Sequence, residues 1–274
     1  MDGRFRRSVV DPRTRWTRRK LQALVMAGIV IVGALVFGAV WVVVAPLEPA
    51  SKTPPGRDHA PAQARLPETS QRDQLAAEPL PAGTLEQAQP GPLSTATAGT
   101  LKVPGASAVG EAGVPSGFPQ TPEGALAQLA AIDQTALTSA SVQGAQDVIA
   151  RWAAPGGPTT ESWSGVRAVA ALLSSVGVHG DADDLLVTVT PAMGLIKGQD
   201  GDDFVIPCVD LVVELAASGD RQSVAVADCQ RMSWNAVEAR WVIGSGEEPA
   251  EAPALWPGTQ PAYDAGYEWI EVVP

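Results

Sequence analysis

The residues best placed for covalent chemistry are the two cysteines of this 274-residue chain, Cys208 and Cys229. A β-hairpin folded about Ser218-Gly219 sets them directly opposite one another. Opposed residues of an antiparallel pair have Cα atoms ~4.5 or ~5.5 Å apart, within reach of a disulfide. Closing the segment between them would stabilise the fold by ~3 kcal/mol in the chain-entropy view. A redox or metal role would ask for a CxxC pair or nearby histidines, and neither is present, so the bridge reads as structural. The same register gathers Val209, Leu211, Val213 and Leu215 with Val224, Val226 and Met232 on a core face. Asp210, Glu214 and Arg231 share the other face with the cysteines. Pro207 signals a bulge or a sheet edge nearby.

The remaining polar groups suggest little chemistry. Asp181, Asp183 and Asp184, and Asp200, Asp202 and Asp203, lack the glycine and closing glutamate of a calcium loop and read as solvated loop acids. His59 falls in a Pro-rich stretch. His179 precedes Gly180, which suits a helix C-terminus better than a general base, since no Ser or Cys nucleophile motif accompanies it. There is no P-loop and no dinucleotide fingerprint. The sequence therefore assigns no catalytic residue, no cofactor-binding residue and no metal ligand, and the chain is expected to be a non-enzyme. The tail after Glu247 interleaves Trp256, Tyr263, Tyr267 and Trp269 with Pro and Gly, which makes these four the candidate protein-contact residues. The other option is that this tail packs back onto its own sheet.

These side chains need elements to carry them. Thr121-Pro122-Glu123 supplies an N-cap, a proline at the first helical position and an acid in the first turn, predicting a helix over about 121–138 with Leu126, Leu129, Ile132 and Ala136 on one face. A second helix begins near Ser141, with Val142, Ala145, Ile149 and Trp152 together, and stops at Ala154-Pro155-Gly156-Gly157-Pro158. Thr159 or Thr160 can cap a third, striped by Trp163, Val166, Ala170 and Leu173. The period then becomes strand-like over 185–190, 204–215, 223–234 and about 240–243. Helices first and strands afterwards predict an α+β domain.

Upstream, Leu21 to Leu47 carries no charge, and its 27 residues exceed the ~20 needed to cross a bilayer. Before it lie Arg4, Arg6, Arg7, Arg13, Arg15, Arg18, Arg19 and Lys20 against Asp2 and Asp11. Positive flanks stay in the cytoplasm, so an uncleaved single-pass anchor with everything beyond it exported is expected, a signal peptide being the rival. The overall charge of −11 divides into +6 before the run and −17 after it. An exported part so acidic repels phosphates, and direct nucleic-acid binding by it is not expected. Pro46 to Pro119 is rich in Pro, Ala, Gly, Gln, Ser and Thr and predicts a disordered tether.

The expected organisation is a basic cytoplasmic arm (1–20), a transmembrane helix (21–45), a tether (46–118), an exported α+β domain (119–246) and an aromatic tail (247–274). In full, the fold class is α+β: a single transmembrane helix, a disordered linker, then three N-terminal helices packed on a curved four-stranded antiparallel sheet. Fifteen arginines against four lysines, with abundant Ala, Gly, Val and Pro, fit a GC-rich, actinobacterial coding bias.

The order of basic arm, span, Pro-rich tether, helices and sheet resembles the bitopic assembly proteins of type IV secretion and conjugation machines, the VirB-eight-like family and its Gram-positive relatives. Thr121-Pro122-Glu123-Gly124-Ala125, Arg151-Trp152-Ala153-Ala154-Pro155-Gly156-Gly157-Pro158, and Trp256-Pro257-Gly258-Thr259 through Gly266-Tyr267 are similar to proteins of actinobacterial integrative conjugative elements. The resemblance implies a nuclear-transport-factor-two-like, cystatin-like exported domain in the cell membrane. It implies scaffolding by protein–protein contacts with other channel subunits and with further copies of itself. The alternative is an exported module of a membrane-associated transport system whose pocket binds a small apolar ligand or lipid.

Overall fold

The computed structural model describes residues 70–175, 185–217 and 220–274. The arm, the run 21–45, the tether up to residue 69, His59, His179 and the acids Asp181, Asp183 and Asp184 lie outside the described residues. Among the described residues no helix is long and apolar enough to cross a membrane.

The helical half follows its caps. Helix α2 (Pro122–Thr138) starts where the Thr121 hydroxyl accepts from the Gly124 amide, and α3 (Val142–Trp152) where Ser141 does the same for Gly144. Helix α4 (Ser164–Ser175) begins later than a cap at Thr159 or Thr160 would require. Thr159 instead organises a turn, its hydroxyl accepting from the amides of Glu161 and Ser162. A short helix, α1 (Gln71–Ala77), precedes all three.

The sheet is larger than expected and of a different kind. Its strands are β1 (Thr100–Pro104), β4 (Leu185–Gln199), β5 (Phe204–Ala217), β6 (Asp220–Cys229), β7 (Met232–Asn235), β8 (Arg240–Ile243) and β9 (Glu268–Val273). A separate two-stranded ladder joins β2 (Ala108–Val109) to β3 (Pro115–Ser116). The main path runs β1-β9-β4-β5-β7-β8, with β6 also paired to β5. Strands β1 and β9 are parallel, so the sheet is mixed.

Four antiparallel strands behind a disordered linker is thus corrected to seven strands in a mixed sheet. Thr100–Pro104 pairs with Glu268–Val273 across more than 160 positions, and Glu268–Val273 meets β4 only at Met193 and Gly194, so no local pattern announces either strand. The stretch expected to be one strand over 223–234 breaks at Gln230-Arg231, which lets β5 pair with β7 at its start and with β6 beyond. Register shifts between Pro191 and Met193 and between Ile196 and Gly198 bend β4 where it meets β5.

From residue 70 onward the expected tether is part of the fold. Arg72 pairs with Asp200 (2.6 Å) and Asp203 (2.9 Å) and lies over the Phe204 ring, while Asp73 pairs with the buried Arg231 at 2.7 Å. The acids 200 and 203, read as solvated, hold α1 against the loop before β5.

The hairpin register is the one expected. Cys208 opposes Cys229 and the two form a disulfide. Val209, Leu211, Val213 and Leu215 face the helices, where Leu126, Ile132, Trp152 and Trp163 complete the main core. At Gly194 a β-carbon would stand 2.8 Å from Leu126, so glycine lets α2 settle onto β4. The opposite face is also buried. There the cysteines pack with Met193, Leu195, Leu255 and Tyr267.

Candidate functional site

Among the described residues strand β6 pairs with β5 alone. On its other side the Ala225 amide donates to the Ala88 carbonyl. Helix α4 and residues 248–254 close over this edge without filling the space, leaving a cavity of about 460 Å³. Its walls are largely aliphatic: Leu137 from α2, Ala168, Ala171 and Leu172 from α4, and Val224 and Val226 from β6.

One end of the cavity is polar. Ser164, the first residue of α4, donates through both its amide (2.8 Å) and its hydroxyl (2.7 Å) to Glu248 Oε1, a carboxylate from 84 positions away. Glu248 thereby stands at the N-terminus of the helix, where negative charge is favoured. The Ser164 hydroxyl also lies 3.3 Å from Asp228 Oδ1. Gln230 Nε2 donates to Asp228 Oδ2 at 2.9 Å and reaches Glu248 Oε1 at 3.3 Å. Arg167 meets Glu248 Oε2 at 3.4 Å from the solvent side and donates to the Ser162 carbonyl. Gly165 is required beneath this arrangement, since a β-carbon there would meet the Trp163 indole at 2.6 Å.

Burial pushes the Asp228 carboxyl up to about 7, with Glu248 adding to the rise while Gln230 and Ser164 oppose it. Asp133 on α2 is pushed well above the usual carboxylate range, first by burial and then by Asp228 and Glu248. Three acids therefore share one region, two at the cavity end and one behind them. Among the described residues no group of three or more His, Cys, Asp or Glu is arranged to hold a metal ion.

The aromatic residues singled out from sequence lie on the other side of the sheet. Tyr267 is buried, its hydroxyl donating to the Pro253 carbonyl at 3.2 Å. Trp256 and Tyr263 are half-buried, and Trp269 is 37 % exposed. Leu93 and Trp269 flank Gly258, whose φ of +77° suits glycine, and form a small exposed apolar patch.

Sequence reasoning singled out none of Ser164, Asp228, Gln230 or Glu248, yet a signal was present. The alternation Val224, Val226, Asp228 puts an acid on the face that should be apolar. Asp133 likewise interrupts the stripe of Leu126, Leu129 and Leu137 on α2.

Comparison with protein-family models, with curated proteins and with solved structures finds no match to this chain. The resemblance to conjugation assembly proteins stands on the sequence phrases and the order of segments alone.

Proposed function

We propose that the folded domain is a binding module that takes a small, predominantly apolar ligand in the cavity along β6. The apolar run 21–47 would hold it at a membrane, in the cell envelope. The observation carrying this reading is the cavity itself, of a size and lining typical of small-molecule sites, with a few convergent polar groups at one end. Ser164, Asp228, Gln230 and Glu248 hold one another by hydrogen bonds at that end, and binding rather than turnover is the function this favours.

The test is saturable binding of a neutral fluorophore, N-phenyl-1-naphthylamine, to the full chain in lipid nanodiscs. Ala171→Phe, which places a ring in the cavity, provides the background for partition into lipid. The reading expects one saturable site per chain that disappears in Ala171→Phe while the melting temperature is kept. Equal signal from both proteins would reject it.

A second reading, scaffolding within a conjugative transfer machine, is favoured by the exposed Leu93 and Trp269 patch, since apolar side chains of this size at a surface suit protein contacts. It expects Trp269→Ala with Leu93→Ser to remove crosslinks to neighbouring subunits in native membranes without lowering stability. Crosslinks unchanged by the pair of substitutions would count against it.

A further inference from the structure

Behind the acids that line the cavity, two deeply buried side chains have unfilled hydrogen-bonding capacity. Gln230 is 1 % exposed, its amide nitrogen is turned onto Ser164, Asp228 and Glu248, and its Oε1 has no hydrogen-bond partner among the described residues. Asp133 is 4 % exposed, with Oδ2 in the same condition, and its charge would act on both Asp228 and Glu248. Most buried polar groups in folded proteins are paired, so both leave acceptor capacity directly behind Asp228 and Glu248.

We infer that the ligand of this cavity is an amphiphilic cation, an apolar body ending in an ammonium or similar nitrogen, seated with that nitrogen against Asp228 and Glu248. The inference rests on the reading of the cavity as a ligand site and adds the ligand's charge.

The charged groups facing this spot come from every element around it. Arg167 from α4, Asp228 from β6, and Glu248 and Glu251 from the closing segment line it, and Asp133 of α2 acts on Asp228 and Glu248 from behind. Arg167 is the one cation in this set. It engages Glu248 at Oε2 and is more than half exposed, so it lies on the outer side of that carboxylate. A ligand carboxylate would therefore meet two acids and share a single arginine with one of them. An ammonium would meet opposite charge between apolar walls, where a charge-assisted contact counts for more than it does in water. Burial holds Asp228 up at about 7, and a cation beside it reverses that shift, so binding draws a proton off Asp228 and weakens as pH falls below about 7.

The test competes octylammonium, octanol and octanoate against the neutral fluorophore on the full chain, with Ala171→Phe again as background. At about pH 8 octylammonium should displace it at about tenfold lower concentration than octanol, and octanoate should be the weakest. Asp228→Asn should bring octylammonium down to the level of octanol, and wild-type protein at about pH 5.5 should behave like that variant. Octylammonium no better than octanol, octanoate the strongest of the three, or no displacement by any of them while the fluorophore still binds would overturn the inference alone. A fluorophore without a saturable site would overturn the cavity reading beneath it.

Discussion

The two faces of the central sheet are covered by different kinds of chain. On the inner face, capped helices bring Leu126, Ile132, Trp152 and Trp163 onto Val209, Leu211 and Val213. On the outer face, Met193, Cys208, Cys229 and Tyr267 lie under segments with little regular structure, roughly 76–98 and 249–267. A helix satisfies most of its backbone internally and needs only to bury a stripe. An irregular cover must find a partner for each buried amide elsewhere. These two segments find theirs in each other: Ala250 donates to Ala76, Trp256 to Gln87, and Ser94 to Gly258, at 2.7 to 2.9 Å. The outer cover therefore works only as a pair, and this separates it from the helical side.

The largest effect should come from breaking that pair. A chain beginning at residue 119 lacks β1 and half of the outer cover, and should lose the cooperative melting transition that the full chain shows by circular dichroism. A wholly dispensable tether would leave the transition in place. On the inner face Trp152→Ala removes a fully buried ring and the indole bond to the Glu111 carbonyl, and should cost ~3–5 kcal/mol in urea unfolding. Replacing both cysteines with serine opens the bridge between positions 21 apart and should cost ~3 kcal/mol, with reductant lowering the wild-type protein to match.

Buried acids add a pH dependence to both faces. Asp133 and Asp228 on the helical side and Asp210 on the outer side are all held above the ordinary carboxylate range, chiefly by burial. Such groups keep protons in the folded state that the unfolded chain releases. Their contribution to stability is fully present below about pH 4 and, for Asp228, is lost as pH rises through about 7. Unfolding free energy should fall between those limits, and Asp228→Asn should flatten the slope while leaving the part due to Asp210. The smallest change is Tyr267→Phe, which deletes one buried hydroxyl bond on the outer face and should cost ~1 kcal/mol.

What could be read from the sequence follows the same division. Thr121 and Ser141 announce α2 and α3 because a cap and an apolar stripe are local signals. The β5–β6 register is equally local, since a turn and two cysteines suffice to set it. Strands β1 and β9 escape because each is short and finds its parallel partner at the far end of the folded region. The outer cover escapes because its buried members include small residues such as Ala76 and Ala88, in stretches whose composition matches a solvated linker. The cavity end escapes for a third reason: Asp133, Ser164, Asp228 and Glu248 come from four separate elements, and each alone is an ordinary polar residue. Register and helical period, followed one step further, do place Asp228 and Asp133 on apolar faces.

The central claim is that the space beside β6 is where this domain takes its ligand. Labelling the full chain with an alkylammonium carrying a photoreactive diazirine, then mapping the adducts by mass spectrometry, tests it directly. The account predicts adducts on Ala168 to Leu172 and on Ser223 to Ala227, competed away by octylammonium. Adducts confined to the surface around Leu93 and Trp269, or uncompeted across the sheet, would contradict it.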